Sequence, residues 1–285
     1  MVSWERGDRL IVLRLGACDG SSCDPPTVVA EVPTAPGPHN LVASGSVVWA
    51  THPRDGSLSR YDVGTGELMT RRVGTEPHDV AVTADGTTVY VTDEADGSLL
   101  VVDPVGLDVT SVISLPAPPH NVELVGSTPW VTLDGRDELA VLADEGNLEL
   151  VPTGGRPHDL VAGGDSLWIS QWRSPLLLLL DPVTGSVTER TTGLRDPQHF
   201  APTPSGSVWV SDNDGGSVIE LGEERNEVDV GTAQHHLGWA AGRLLAAGTD
   251  AVIVVDQDLT VSSIPVGRGL HGVATGRAPS LSKGP

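Results

Sequence analysis

Seven histidines recur along this chain at nearly regular intervals, and this repeat constrains the fold more than any other feature. They lie 36 to 42 residues apart, and in most units a large hydrophobic residue follows ten positions later, as Trp49 follows His39. A repeat of about 40 residues with strands and tight turns is typical of one small sheet per unit. If such sheets close into a ring, equivalent positions meet around its axis. The seven are His39, His78, His120, His158, His199, His235 and His271.

The composition agrees with an all-β fold. The 285 residues include 34 glycines and 22 prolines, which suits many short strands joined by turns. In the unit that begins at His78, apolar segments separated by turn residues predict strands at 79–83, 88–92, 98–103 and 109–115. No segment shows the periodicity of an amphipathic helix, so each unit is predicted to be a four-stranded sheet.

The two ends of the chain each carry part of a blade. His271 opens a further unit only a few residues before the chain ends, whereas the first 33 residues hold three strand candidates, beginning near Trp4. We therefore predict one domain, 1–285, folded as a seven-bladed β-propeller in which residues 1–33 complete the blade opened by 271–285. This closure leaves no sheet edge unpaired. A six-bladed ring with an unpaired tail is the alternative.

Charge and cysteine content limit the partners of the chain. The 17 Lys and Arg residues against 38 Asp and Glu residues leave a formal net charge of -21. Because such a surface repels phosphate backbones, we expect no nucleic-acid partner. We also expect a monomer with a small-molecule substrate or ligand. No apolar run reaches the length of a membrane helix, and no convincing signal peptide is present, which favours a cytoplasmic location over export. Cys18 and Cys23 could close a small disulfide loop, but their spacing fits no ordinary zinc site.

Two segments resemble a known family of repeat proteins. The sequence VGTEPHDVAV at residues 73–82, followed by VYVT at residues 89–92, resembles the YVTN-type β-propeller repeat. The Pro-His pattern followed by Trp-x-Ser/Thr resembles the streptogramin lyases of the virginiamycin B lyase type, which are seven-bladed propellers. The resemblance covers about residues 33–275 together with the amino-terminal strands. It implies the fold, but it is weaker evidence for function, since such repeats occur in enzymes, binding modules and surface proteins.

The resemblance also implies where a metal would lie. In the lyases, magnesium and the catalytic base are carried at one end of the channel by histidines of the Pro-His position and by acids three residues after the tryptophan. In this chain that second position holds only two carboxylates, Asp93 and Asp212, where the lyases usually have Glu. Many imidazoles and few carboxylates favour a transition metal such as Zn, Cu or Fe over Mg. The residues at this second position are His52, Asp93, Leu133, Gln171, Asp212 and Gly248, with Gly7 in the closing blade.

The candidate site residues follow from these two positions. We expect His78 and His199 as candidate catalytic residues, and two clusters from neighbouring blades. The preferred cluster is His39, His52, His78 and Asp93, and the other is His158, Gln171, His199 and Asp212. The candidate metal ligands are His39, His52, His78, Asp93, His120, His158, His199, Asp212, His235 and His271.

Three functions remain open at this point. The first is a metal-dependent, lyase-like enzyme that acts on a cyclic or peptide-like small molecule at a histidine-lined channel mouth. The second is a non-catalytic propeller that binds a ligand or a protein partner, and the third is a histidine-rich metal-binding protein. The histidines also have a structural interpretation, because their ring nitrogens could bond backbone carbonyls of the next blade. Trp172 and Trp239 fall outside the repeat phase, and either could line the mouth.

Overall fold

Seven four-stranded antiparallel sheets make up most of the chain. The structure is a computed structural model that describes residues 1–19, 22–143, 146–191, 193–222, 225–231 and 235–276. Within these ranges the only helix is a 3-10 turn at Glu5–Gly7, and no helix is long and apolar enough to cross a membrane. The all-β prediction is confirmed.

The amino-terminal segment contributes five strands. They are β1 (Val2–Trp4), β2 (Arg9–Arg14), β3 (Cys18–Asp19), β4 (Ser22–Cys23) and β5 (Thr27–Pro33). Strands β3 and β4 pair as a small hairpin, in which Cys18 lies opposite Cys23. These two cysteines form a disulfide, the possibility that the sequence had left open.

Six blades then follow in order, each built from four consecutive strands that run from the innermost to the outermost. Blade 1 contains β6 (Leu41–Ser44), β7 (Val47–His52), β8 (Ser57–Asp62) and β9 (Leu68–Arg72). Blade 2 contains β10 (Pro77–Val82), β11 (Val89–Asp93), β12 (Ser98–Val102) and β13 (Val109–Ser114). Blade 3 contains β14 (Pro119–Val125), β15 (Thr128–Leu133), β16 (Glu138–Leu142) and β17 (Leu148–Pro152).

The remaining blades repeat the same pattern. Blade 4 contains β18 (Pro157–Gly163), β19 (Ser166–Gln171), β20 (Leu176–Leu180) and β21 (Val187–Thr191). Blade 5 contains β22 (Pro197–Pro202), β23 (Val208–Asp212), β24 (Ser217–Leu221) and β25 (Arg225–Asp229). Blade 6 contains β26 (Leu237–Ala240), β27 (Arg243–Ala247), β28 (Ala251–Val255) and β29 (Val261–Pro265), and the last strand is β30 (Leu270–Val273).

The innermost strands form a closed circle. Each of β6, β10, β14, β18, β22 and β26 contacts the innermost strand of the next blade, and β30 contacts β6. The arrangement is therefore a seven-bladed propeller, as the repeat predicted, and the innermost strands surround its axis.

The closing blade is assembled from both ends of the chain. Its strand order is β30-β1-β2-β5, with Val2 opposite Val273 and Trp4 opposite Leu270. This confirms that the termini share one blade. Of the predicted carboxyl-terminal contribution, 277–285 lies outside the described residues.

The residue ten positions after the repeat histidine packs between blades. Trp49 joins a cluster with residues of blades 1 and 2, Trp130 one with residues of blades 3 and 4, and Trp209 one with residues of blades 5 and 6. The inner strands are nearly all apolar because neighbouring blades cover both of their faces.

The hydroxyl of the Trp-x-Ser/Thr pattern joins one blade to the next. Thr51 Oγ1 donates to the carbonyl oxygen of His78 in blade 2 (2.8 Å) and accepts from the backbone N–H of Asn40 in its own blade (3.2 Å). Thr92 and Ser3 make the equivalent bonds from blade 2 and from the closing blade. These hydroxyls fix the backbone of the repeat histidine against the preceding blade.

Candidate functional site

Seven imidazole rings, one from each blade, contact one another in a closed circle at the axis. Their centroids are separated by 3.6 to 5.5 Å, with the shortest distance between His39 and His271 and the longest between His158 and His199. These residues lie in the innermost strands or directly before them, so closure of the propeller is what brings them together. We call this set the imidazole circle: His39, His78, His120, His158, His199, His236 and His271.

In blade 5 the circle contains the predicted residue, His199, but this residue stands one register position later than His158 does in blade 4. Pro157 lies opposite Gln171, and Pro197 lies opposite Asp212, so Gln198 stands at the register position of His158. His199 takes the register position of Asp159: its backbone N–H donates to a serine hydroxyl of the second strand, as that of Asp159 does. The seven predicted histidines therefore do not share one phase.

In blade 6 the circle contains His236, the residue directly after the predicted His235. His235 stands at the predicted position, because its N–H donates to the carbonyl of Ala247 as that of His39 donates to the carbonyl of Thr51. His235 is exposed and contacts only His271 among the described rings, at 4.9 Å. His236 lies between His199 and His271, at 4.2 and 5.0 Å. With two adjacent histidines in the sequence, the repeat alone could not decide which one enters the circle.

Most rings of the circle have a lowered pKa, which keeps those rings neutral. Burial, followed by repulsion from neighbouring imidazoles, lowers the pKa of His39 and of His158 to about 3. The same causes place the pKa values of His78, His236 and His271 well below their ordinary value. Neutral imidazoles keep a lone pair that can take a proton or bind a metal.

The Nδ1 atoms of the circle have different partners. His78 Nδ1 lies 3.1 Å from the carbonyl oxygen of His120, which is the contact that the structural interpretation requires. The Nδ1 atoms of His39, His120 and His158 are buried without a protein partner among the described residues. Buried polar atoms in this state are usually satisfied by water or a ligand.

A second polar layer follows the repeat histidines along the innermost strands. Asn40 Nδ2 donates to Asp79 Oδ1 (3.0 Å), and Asn121 Nδ2 donates to Asp159 Oδ1. Asp79 Oδ2 also accepts from the backbone N–H of Val122 (2.9 Å). Burial raises the pKa of Asp79 to about 7. This layer was not predicted from the sequence, although Asn or Asp stands directly after Pro-His in four consecutive blades.

The predicted acids three residues after the aromatic lie inside their blades. The carboxylate of Asp93 accepts from the backbone N–H groups of Thr75 (2.7 Å) and Glu76 (2.9 Å). Asp212 accepts in the same way from Arg195 and Asp196. Both carboxylates hold the loop that leads into the innermost strand, and their oxygens are engaged there. The structure therefore does not bring Asp93 or Asp212 to the imidazole circle.

His52 and Gln171 occupy the same inner position. His52 is fully buried, and its Nε2 lies 2.8 Å from Ser59 Oγ. Gln171 Nε2 donates to the carbonyl oxygen of Leu176. Of the two predicted clusters, the structure brings together His39 with His78, at 4.7 Å, and His158 with His199, at 5.5 Å. The other members remain inside the blades because the end of the second strand points them into the loop.

The residue that directly follows this inner position reaches the mouth of the channel instead. In the closing blade Ser3 takes the hydroxyl position, which places Glu5 at this later position. One ligand atom each of Glu5, His39 and His271 lie within 4.8 Å of one another. In blade 4 the same position holds Trp172, whose indole lies edge-on to the rings of His158 (4.1 Å) and His120 (5.6 Å). A shift of one residue in the sequence pattern would have found Trp172, whereas Glu5 follows only from the register of the closing blade, in which Ser3 takes the hydroxyl position.

The fold is similar to solved structures of two lyases. A streptogramin B lyase has a TM-score of 0.77 and 17% identity, over 96% of this chain and 94% of that chain. Virginiamycin B lyase from Staphylococcus aureus has a TM-score of 0.75 and 17% identity, over 84% of this chain and 89% of that chain. A catalytically inactive histidine-to-alanine variant of virginiamycin B lyase from Staphylococcus aureus, solved with quinupristin, has a TM-score of 0.72 and 15% identity, over 90% and 89%.

At these identities the likeness establishes the fold alone. No protein-family model matches this chain, and no curated protein matches it.

Proposed function

We propose that this propeller is a lyase-like enzyme that acts on a cyclic or peptide-like small molecule at the histidine-lined mouth of its channel. The observation that carries the proposal is the imidazole circle, in which neutral rings meet a carboxylate and an indole at one end of the axis. The likeness to two lyases supports it, as does the loss of activity in a histidine variant of one of them.

The group formed by Glu5, His39 and His271 has the donor set of a divalent metal site. Two imidazoles and one carboxylate suit a first-row transition metal such as Zn, Fe or Cu, whereas Mg²⁺ prefers oxygen ligands. His39 Nδ1 is buried without a partner among the described residues, and Arg54 pairs with Glu5 Oε1, which leaves the other carboxylate oxygen available. Three protein ligands also leave positions open for a substrate. When bound, such an ion would polarise a carbonyl oxygen of the substrate.

The neutral imidazoles supply the proton chemistry of the proposal. A ring nitrogen takes a proton from a substrate carbon next to a carbonyl group. The electron pair of that C–H bond forms a C=C bond, and the bond to the leaving group breaks with its electrons. Trp172 offers an apolar surface against which a ring or side chain of the substrate packs.

Turnover and metal content of untagged protein test this function together. Quinupristin is the first probe, and the product is measured by mass spectrometry. If the broken bond closes a ring of the substrate, elimination leaves the mass unchanged, whereas hydrolysis adds the mass of one water. We expect an opened product of unchanged mass and about one equivalent of transition metal, since a site of this kind holds a single ion.

A matched pair of histidine variants locates the site. His271→Gln removes a member of the Glu5–His39–His271 group and should lower metal content and turnover by at least about 10²-fold. His52→Gln removes a buried histidine that lies outside the imidazole circle and should retain both. Metal without turnover of any cyclic or peptide-like compound would instead indicate a histidine-rich metal-binding protein. Neither metal nor turnover would indicate a non-catalytic propeller that binds a ligand or protein partner.

A further inference from the structure

A carboxylate and an imidazole form a buried pair where blade 4 meets blade 5. Asp159 Oδ2 lies 3.2 Å from His199 Nδ1, and the two residues are 8% and 6% exposed. Among the described residues, His199 is the only member of the imidazole circle with a carboxylate within hydrogen-bond distance. This distinguishes it from His78, whose Nδ1 bonds a backbone carbonyl.

The register of blade 5 creates this pair. His199 stands where Asp159 stands in blade 4, in the polar layer whose side chains reach toward the next blade. Along that layer Asn121 donates to Asp159, and Asp159 in turn meets His199. A carboxylate of the second layer therefore supports a ring that also belongs to the imidazole circle.

Asp159 is oriented and charged. Asn121 Nδ2 and the backbone N–H of Leu160 (2.8 Å) both donate to Oδ1, which leaves Oδ2 for His199. Burial alone would raise the pKa of Asp159, but the hydrogen bonds and the nearby imidazoles outweigh burial and lower it. An ionised carboxylate accepts the Nδ1–H of its partner, so Nε2 of His199 carries the lone pair.

A base at this mouth needs such support. Protonating another ring of the circle places a positive charge in a buried site beside further imidazoles, with no carboxylate of the described residues in hydrogen-bond distance to compensate it. An adjacent charged carboxylate orients an imidazole and stabilises its protonated form. The Nδ1 atoms of His39, His120 and His158 are buried without a partner among the described residues, whereas Nδ1 of His199 has Asp159.

We infer that His199 is the catalytic base of the proposed lyase reaction and that Asp159 is its positioning residue. This inference rests on the proposed function. His199 Nε2 takes the proton from the substrate carbon, and the electron pair left behind forms the C=C bond as the leaving group departs with its own pair. Asp159 stabilises the imidazolium until the proton passes to the leaving group or to water.

Nitrogen NMR of protein with isotopically labelled histidine tests the pair without any substrate. Asp159→Asn is compared with Asp79→Asn, which removes a carboxylate from the same layer without a histidine partner. In the wild type we expect His199 to be protonated at Nδ1 and bare at Nε2. Asp159→Asn should abolish this preference, and Asp79→Asn should preserve it. A wild-type His199 protonated at Nε2, or a His199 spectrum unchanged by Asp159→Asn, overturns the pair.

Turnover tests the catalytic role separately. Asp159→Asn should lower kcat by at least about 10²-fold with KM little changed, as loss of an orienting carboxylate does. Asp79→Asn should keep kcat and KM close to wild type. If the two variants have the same kcat, the assignment of Asp159 as the positioning residue is wrong, while the lyase function stands. If the wild type turns over no compound, the proposed function fails and the assignment of the base falls with it, whereas the NMR comparison still decides the pairing.

Discussion

Neighbouring positions of the repeat have unrelated roles at the scale of single residues. Asp93 closes a loop inside blade 2, whereas Glu5, at the next position of the closing blade, reaches the imidazole circle. His158 lines the circle, and the next residue, Asp159, belongs to the polar layer. Because side chains of adjacent residues leave a strand in different directions, an error of one position exchanges a loop contact for a site contact.

The lowered pKa values of the histidines predict that acid destabilises the protein. For His39 and His158 the folded pKa is about 3, below the ordinary value of 6.5 that applies to the unfolded chain. Between these values the unfolded chain binds protons that the folded protein does not, so the free energy of unfolding falls as the pH falls. Asp79 has the opposite effect on the free energy of unfolding. Its folded pKa is raised to about 7, so the folded protein binds a proton that the unfolded chain does not, and the stability that this proton gives is lost as the pH rises. Histidines with lowered values outnumber such carboxyls, so their effect prevails.

Urea unfolding between about pH 7 and about pH 5, which brackets the ordinary imidazole value, measures this dependence. His158→Gln should reduce the slope of the free energy of unfolding against pH, by an amount that corresponds to at most one proton. Asp79→Asn should increase that slope. A stability that rises on acidification, or variants that shift the slope in the reverse sense, would contradict the buried neutral state of the circle.

At the scale of structural elements, hydroxyl groups connect the inner strands of neighbouring blades at three of the seven junctions. Thr51, Thr92 and Ser3 each donate to a carbonyl of the following blade and accept from an N–H of their own. This explains why Ser or Thr follows the aromatic two residues later. The same bonds fix the backbone on which each repeat histidine stands.

Removal of one such hydroxyl should destabilise the propeller. Thr51→Val keeps the shape of the side chain but leaves the carbonyl of His78 and the N–H of Asn40 without their partner. We expect a loss of about 1 to 3 kcal/mol in the free energy of unfolding, measured by urea denaturation. Thr110→Val, on an exposed outer strand, removes a hydroxyl that bonds a single carbonyl and should cost less than about 0.5 kcal/mol. Equal losses in the two variants would show that the inter-blade bonds contribute nothing of their own.

At the scale of the whole molecule, one blade depends on both ends of the chain. Strand β30 supplies its innermost strand, and β1, β2 and β5 supply the rest. Val2 is fully buried opposite Val273, so closure protects apolar surface as well as a sheet edge.

Deletion of residues 1–33 should therefore cause aggregation or a large fall in melting temperature. The deletion exposes β30 and the open faces of blades 1 and 6, and the decrease is measured by thermal unfolding. Cys18→Ser with Cys23→Ser is the control, because it keeps the strands of the blade and removes a short loop constraint, worth about 2 kcal/mol, together with the contact of Arg243 Nη2 with Cys18 Sγ. A truncated protein with the same melting temperature as the wild type would contradict closure of the ring by the two termini.

The sequence by itself determined the number of blades, their strands and the sharing of the last blade. These features depend on the period of the repeat, on short apolar segments and on turn residues, all of which are local patterns. The second-blade strands predicted from the unit at His78 agree with β10 to β13 to within two residues at each end.

Only the tertiary structure decided which side chains meet at the axis. The chain is irregular between Pro77 and Val80 and at the equivalent positions of blades 3, 4 and 5, so the position of these rings depends on backbone geometry that the spacing does not encode. His199 and His236 join the circle through this register, and Glu5 joins it because the amino terminus folds beside His39. Such contacts join residues that are distant along the chain. Their distances are set by closure of the ring, which no local pattern contains.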